Sequence, residues 1–99
     1  MAPLTSILQL YLRSNEIGAD GAESLGPHIA RLTCVQMLDL GNNNIGSQGA
    51  RSMVPHLLHL PSLQHLRLNR NDIGTDAATS LKHHLALLPS ITHLDLSDR

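Results

Sequence analysis

Two histidines, His65 and His93, stand 28 residues apart, and His28, His56 and His84 recur at the same interval. Imidazole nitrogens bind a divalent ion at about 2 Å, so either set could act as ligands only if the fold brought rings from different segments together. His28, His56 and His84 read as lying on a helix flank, and neighbouring helices run about 8–10 Å apart, too far for a shared ion. His83 and His84 are adjacent in sequence and diverge on a helix. His65 and His93 are expected one strand apart, yet two ligands make an incomplete site, so no metal is assigned. Other reactive patterns are missing from the sequence. It has no Gly-rich phosphate loop, no His-Glu-x-x-His, and no Ser or Cys at a recognisable spacing from a base. Cys34 shares its column with Ser6, Ser62 and Ser90 and reads as a small buried or half-buried thiol without a basic neighbour. Neither a catalytic residue nor a cofactor is assigned, and the expectation is a protein that is not an enzyme.

A different chemistry suits the polar residues that recur with these histidines. Tyr11, Asp39, Arg67 and Asp95 occupy one column at the 28-residue interval, beside Arg13, Met37, His65 and His93. If each lies on a strand parallel to the next, strands about 4.8 Å apart make the members of a column direct neighbours. Arg67 is then flanked by two carboxylates. One reading is a solvent-exposed charge ladder worth about 0.2–1 kcal/mol per pair. The other is a mixed-charge recognition strip with Tyr11 and Met37 as apolar anchors.

The elements that must position these residues follow from one repeated stretch, Leu38-Asp39-Leu40-Gly41-Asn42-Asn43-Asn44-Ile45-Gly46. Matching copies begin at Leu10 and at Leu66, and a partial one at Leu94. Residues 7–34, 35–62 and 63–90 are three whole units of a single domain spanning 1–99, and 91–99 opens a fourth. Leu4 falls in register with Leu32, Leu60 and Leu88. Leu38 and Leu40 alternate with polar or small residues, which predicts a very short strand. Ala50, Met53, Leu57 and Leu60 recur at three and four, the stripe of an amphipathic helix. The turn between them contains Gly18, Gly46 or Gly74, able to take positive φ. Asn15, Asn43 and Asn71 in that turn are expected to form a structural ladder, their amides pairing with backbone donors and acceptors. Ser47 and Thr75 are acceptable helix N-caps. Pro27 and Pro55 fall inside the helices, where each removes a backbone bond and is expected to bend the helix on its solvent side.

No such strand or helix can bury its apolar face alone, so the units must stack. The expected architecture is α/β: a right-handed βα solenoid with short parallel strands on the concave face and helices on the convex face, about three and a half repeats long. A single aromatic residue in 99, Tyr11, agrees with a core of many small equivalent layers. Net charge of −1 and no basic block argue against nucleic acid as a partner. No apolar run approaches the roughly 20 residues of a membrane span. The start, Met1 to Ser6, lacks the features of a signal peptide, and the lone cysteine suits a reducing compartment, so a cytoplasmic setting is expected.

The pattern Leu-x-x-Leu-x-Leu-x-x-Asn-x-Ile-Gly-x-x-Gly-Ala-x-x-Leu, carried here by Val35 through Met53 with conservative changes at its ends, resembles the leucine-rich repeat of the ribonuclease-inhibitor type. That class includes ribonuclease inhibitor, the Ran GTPase-activating protein and the sensor domains of NOD-like receptors. The resemblance covers essentially the whole chain, and it implies a scaffold that binds a protein partner across its concave face. Tyr11, Arg13, Met37, Asp39, His65, Arg67, His93 and Asp95 are the candidate contact residues, because they vary from unit to unit on a constant frame. Two alternatives accompany this reading. One is a regulatory fragment of a GTPase-activating protein for a small GTPase, and the other is a structural piece of a longer array with no ligand of its own. Ribonuclease inhibitor is rich in cysteine and this chain has one, so the likeness is to the repeat rather than to that protein. Solenoids normally need capping repeats; with none evident, the chain is expected either to be a fragment of a longer array or to self-associate through uncapped ends.

Overall fold

The computed structural model describes residues 7–97. Leu4 and Ser6, assigned to repeat columns above, and the short leader lie outside that range. Strands and helices alternate: β1 (Gln9–Tyr11), α1 (Gly18–Ile29), β2 (Met37–Asp39), α2 (Gly46–Leu57), β3 (His65–Arg67), α3 (Thr75–Leu85) and β4 (His93–Asp95). The strands form one parallel sheet in sequence order. Leu10 pairs with Leu38, Leu38 with Leu66 and Leu66 with Leu94, so the register is the 28-residue interval itself. This is an α/β repeat solenoid, with strands on one face and helices on the other.

Burial follows from the stacking. Val35, Leu38, Leu40, Ile45 and Met53, in the unit covered from both sides, are fully buried. Their counterparts Ile7, Leu10, Leu12, Ile17 and Leu25 in the first unit are only partly buried. The same leucine is thus worth more in the middle, because apolar burial contributes about 25 cal/mol per Å² removed from water.

The turns after each strand are tighter than a single glycine requires. Backbone φ is positive at Ser14, Glu16 and Gly18, again at Asn42, Asn44 and Gly46, and again at Arg70, Asp72 and Gly74. Only the glycines were legible as such. Left-handed backbone costs a residue with a Cβ about 1–2 kcal/mol, so something must hold the turn, and the asparagines do. Asn43 Nδ2 donates to the carbonyls of Leu12, Leu40 and Gly41 at 2.8, 3.0 and 3.1 Å, while its Oδ1 accepts from the Asn15 N–H at 2.7 Å. Asn71 Nδ2 donates to Leu40, Leu68 and Asn69 carbonyls, and its Oδ1 accepts from the N–H groups of Asn43 and Ile45. Each amide therefore ties its own turn to the one before it.

Side-chain capping of the helices does not occur: neither Ser47 nor Thr75 caps, and no cap side chain bonds at any of the three N-termini. The helices α1 and α2 begin a residue earlier than expected, directly after Ile17 and Ile45. The physical reason is that the next unit supplies the acceptor. Gly18 N–H donates to the Asn43 carbonyl and Gly46 N–H to the Asn71 carbonyl, both at 2.8 Å. Pro27 and Pro55 lie within α1 and α2, exposed on the side away from the core. Small residues set how closely helices approach. A Cβ at Gly49 would come 2.9 Å from the Ala19 Cα, and one at Gly26 would collide with the His56 ring. In α3 the residues at those columns are Ala77 and Lys82, and α2 and α3 leave a groove of about 320 Å³ at Val54, Leu58 and His84.

Candidate functional site

The strand face gathers the candidate residues into one strip. Tyr11 pairs in register with Asp39, Asp39 with Arg67, and Arg67 with Asp95, so the middle column runs across all four strands. Gln9, Met37, His65 and His93 form the column beside it. Arg13 begins a third column, continued by Gly41, Asn69 and Ser97.

The expected charge ladder does not form. Asp39 is not solvent-exposed but 4% exposed, and its Oδ1 accepts from the Gly41 N–H at 2.9 Å and from Arg13 Nη1 at 3.3 Å. The Arg13–Asp39 contact is the one ion pair among the described residues. Arg13 reaches past its own neighbour because Gly41 has no side chain to block it, and its Nη1 also donates to Asn69 Oδ1 at 3.1 Å. Arg13 is therefore a strap across units one to three. The sequence held a signal for this, a glycine where the other units carry Arg13, Asn69 and Ser97. Asp95 likewise turns to its own turn: its Oδ1 accepts from the Ser97 N–H at 3.1 Å and from the Ser97 hydroxyl at 2.7 Å. Arg67, exposed between the two, makes no ion pair among the described residues.

Tyr11 is 58% exposed, and among the described residues its hydroxyl bonds only to Gln9 Oε1, at 3.4 Å. Met37 is half-buried. His65 and His93 stack with ring centroids 4.3 Å apart and planes 15° from parallel. The nitrogen lone pairs of stacked rings lie in near-parallel planes and do not converge on one ion. His93 Nδ1 lies 3.0 Å from the Thr92 hydroxyl. Among the described residues, no three His, Cys, Asp or Glu side chains are grouped to hold a metal.

The helix-flank histidines do separate jobs. The His56 ring packs on Gly26, while His84 Nδ1 meets the Ser80 carbonyl at 2.8 Å and its ring stands edge-on to that of His83, centroids 6.0 Å apart. Cys34 is exposed, not buried or half-buried as its column suggested. In the same column Ser90 is drawn inward by donating to the Leu63 carbonyl at 2.7 Å, whereas a thiol is a weak donor with little to gain from such a bond.

The Leucine Rich repeat family model matches residues 4–26, 31–54 and 59–82. The chain belongs to the leucine-rich repeat family, whose members generally mediate protein–protein interaction and typically serve as scaffolds rather than enzymes. No relative among curated proteins matches the chain. Among the described residues, no helix is long and apolar enough to cross a membrane.

Proposed function

We propose that this chain is a protein-binding scaffold of the ribonuclease-inhibitor type of leucine-rich repeat, and that its partner docks on the concave strand face. The subtype is supported by true α-helices of 11–12 residues in units of 28. The docking face is supported by one observation above others: Tyr11, the only aromatic residue, stands 58% exposed on the strand face, where packing gives it no task. An exposed tyrosine supplies rigid apolar area with a polar tip, the kind of side chain enriched at binding hot spots.

A photo-crosslinking residue placed at position 11, with a second placed at Glu23 on α1 as a control, tests this. The partner should be trapped from the strand face and not from the helix face. Once it is purified, Tyr11→Ala should weaken its binding roughly tenfold or more while leaving thermal unfolding nearly unchanged. Normal binding by that variant, with loss on charge reversal at Glu23 or Arg51, would place the docking face on the helices instead.

A further inference from the structure

We infer that the strand face at β3 and β4 carries a site for an acidic peptide segment, whose carboxylates are taken by Arg67 together with the imidazole of His65, on which the His93 ring stacks. This deepens the proposed docking of a protein on the strand face and rests on that reading.

The polar groups on the strip differ in what each has left to give. Asp39 is consumed: it is buried, and Arg13 and the Gly41 N–H hold its Oδ1. Asp95 Oδ1 is engaged by both groups of Ser97. Arg13 is spent on Asp39 and Asn69. That leaves Arg67, a planar fork of five N–H donors, with no ion pair among the described residues. One position earlier on the same face, the His65 and His93 rings stack; His93 Nδ1 is engaged with the Thr92 hydroxyl at 3.0 Å, and the His65 ring brings a further N–H donor. These side chains line a concavity of about 610 Å³ with Thr92 and Asp95. The floor therefore offers more free donors than free acceptors, and its complement is a planar acceptor bearing negative charge. A carboxylate fits the fork with two parallel bonds, each shorter and roughly twice as strong as a neutral one. The stacked rings would receive the neighbouring carboxylate or the apolar stem of a glutamate. Asp95 is the specificity element, since its second oxygen, with no bond among the described residues, competes for Arg67 and repels the ligand. Removing that charge should tighten binding.

The test uses the ¹H–¹⁵N spectrum of the full chain titrated at low salt with hexaglutamate, and with hexalysine as control. Hexaglutamate should shift the amides of Leu66, Arg67, His93 and Leu94 in a saturable way, and hexalysine should not. Arg67→Gln should raise the hexaglutamate Kd tenfold or more, Arg67→Lys by less, and Asp95→Asn should lower it severalfold. These residues are exposed, so the variants keep the fold, which circular dichroism checks. No shift at millimolar hexaglutamate, shifts confined to the helices, or a Kd within twofold for Arg67→Gln would overturn the inference. If those results came while the position-11 crosslink still trapped a partner, docking on the strand face would stand and only its acidic chemistry would fall.

Discussion

Replacing Asn71 by alanine should destabilise the fold more than the same change at Asn43, although the two residues stand in identical columns. The difference comes from what each deletion strands. Without Asn43, the Leu12 carbonyl still accepts from Asn15 Nδ2, the Leu40 carbonyl from Asn71 Nδ2, and the Gly41 carbonyl from the Ser14 N–H. Only the Asn15 N–H loses its partner, in an exposed residue that water can reach. Without Asn71, the N–H groups of Asn43 and Ile45, both fully buried residues, lose their acceptor together. The Leu68 carbonyl, buried as well, loses the Asn71 amide that donates to it. An orphaned buried backbone group costs about 1–3 kcal/mol, so Asn71→Ala should cost roughly 4 kcal/mol, Asn43→Ala about 1–2, and exposed Asn15→Ala about 0.5. A domain of this size holds about 5–15 kcal/mol in all, so the first variant should remain folded but with a much lower urea midpoint. Urea unfolding of the three variants, followed by circular dichroism, gives the order. If Asn43→Ala proves as costly as Asn71→Ala, the carbonyls are not rescued by their second donors, and the accounting is wrong.

Glu16 holds φ at 53° without being glycine or asparagine. Glu16→Asn should therefore stabilise by about 1 kcal/mol, read as a raised thermal midpoint, and an unchanged midpoint would mean the turn carries no strain there. Gly26→Ala should cost about 1–3 kcal/mol by overpacking, because the new Cβ meets the His56 ring. Combining it with His56→Ala should recover much of that loss, and strict additivity in the double-mutant cycle would show that the ring is not the obstacle. Leu40→Ala should cost about 2–5 kcal/mol and Leu12→Ala clearly less, since Leu40 is fully buried and Leu12 only partly; equal urea midpoints would contradict the burial gradient.

The parts of this fold that were legible in the sequence are those that a column of like residues encodes. Leu10, Leu38, Leu66 and Leu94 share a column, and they are cross-strand partners. Gly18, Gly46 and Gly74 share another, and all three have positive φ. What escaped is written between unlike residues. Periodicity cannot show that Arg13 crosses Gly41 to reach Asn69, because four different residues stand at one column and the contact depends on the smallest. Nor does it show that Ser14, Glu16 and Arg70 are left-handed, since their types oppose that conformation and bonds between units, from the asparagine amides and from backbone N–H groups, hold the turns. Helix capping was misread for a related reason. Ser47 has the right chemistry, but α2 already begins at Gly46, whose N–H takes the carbonyl of Asn71 from the following unit, so Ser47 lies inside the helix and not at its cap. On Cys34 the column misled, since a serine's neighbours hold a hydroxyl and not a thiol.

The strip's organisation turns on a competition that two aspartates settle in the same way. Asp39 and Asp95 each sit beside Arg67 on adjacent strands, and each instead accepts from the N–H two residues further along its own chain. An exposed ion pair is worth about 0–1 kcal/mol after it orders two long side chains. A carboxylate bonded to a nearby backbone N–H makes a charge-assisted bond worth about 1.5–3 kcal/mol, and the short aspartate gives up little rotamer freedom to reach it. The local bond therefore wins at both sites. Asp39 then meets Arg13 as well, because glycine at position 41 leaves the way open, and the pair closes over the middle of the strip. Asp95 makes its bonds with Ser97, so Arg67 is left between two neighbours that are both occupied elsewhere. A guanidinium in a polar concavity with no ion pair among the described residues, while Arg13 is locked, is thus the outcome of short-range bonds outcompeting cross-strand charge. The same competition keeps the frame constant while leaving the Arg67 side chain exposed on the strand face.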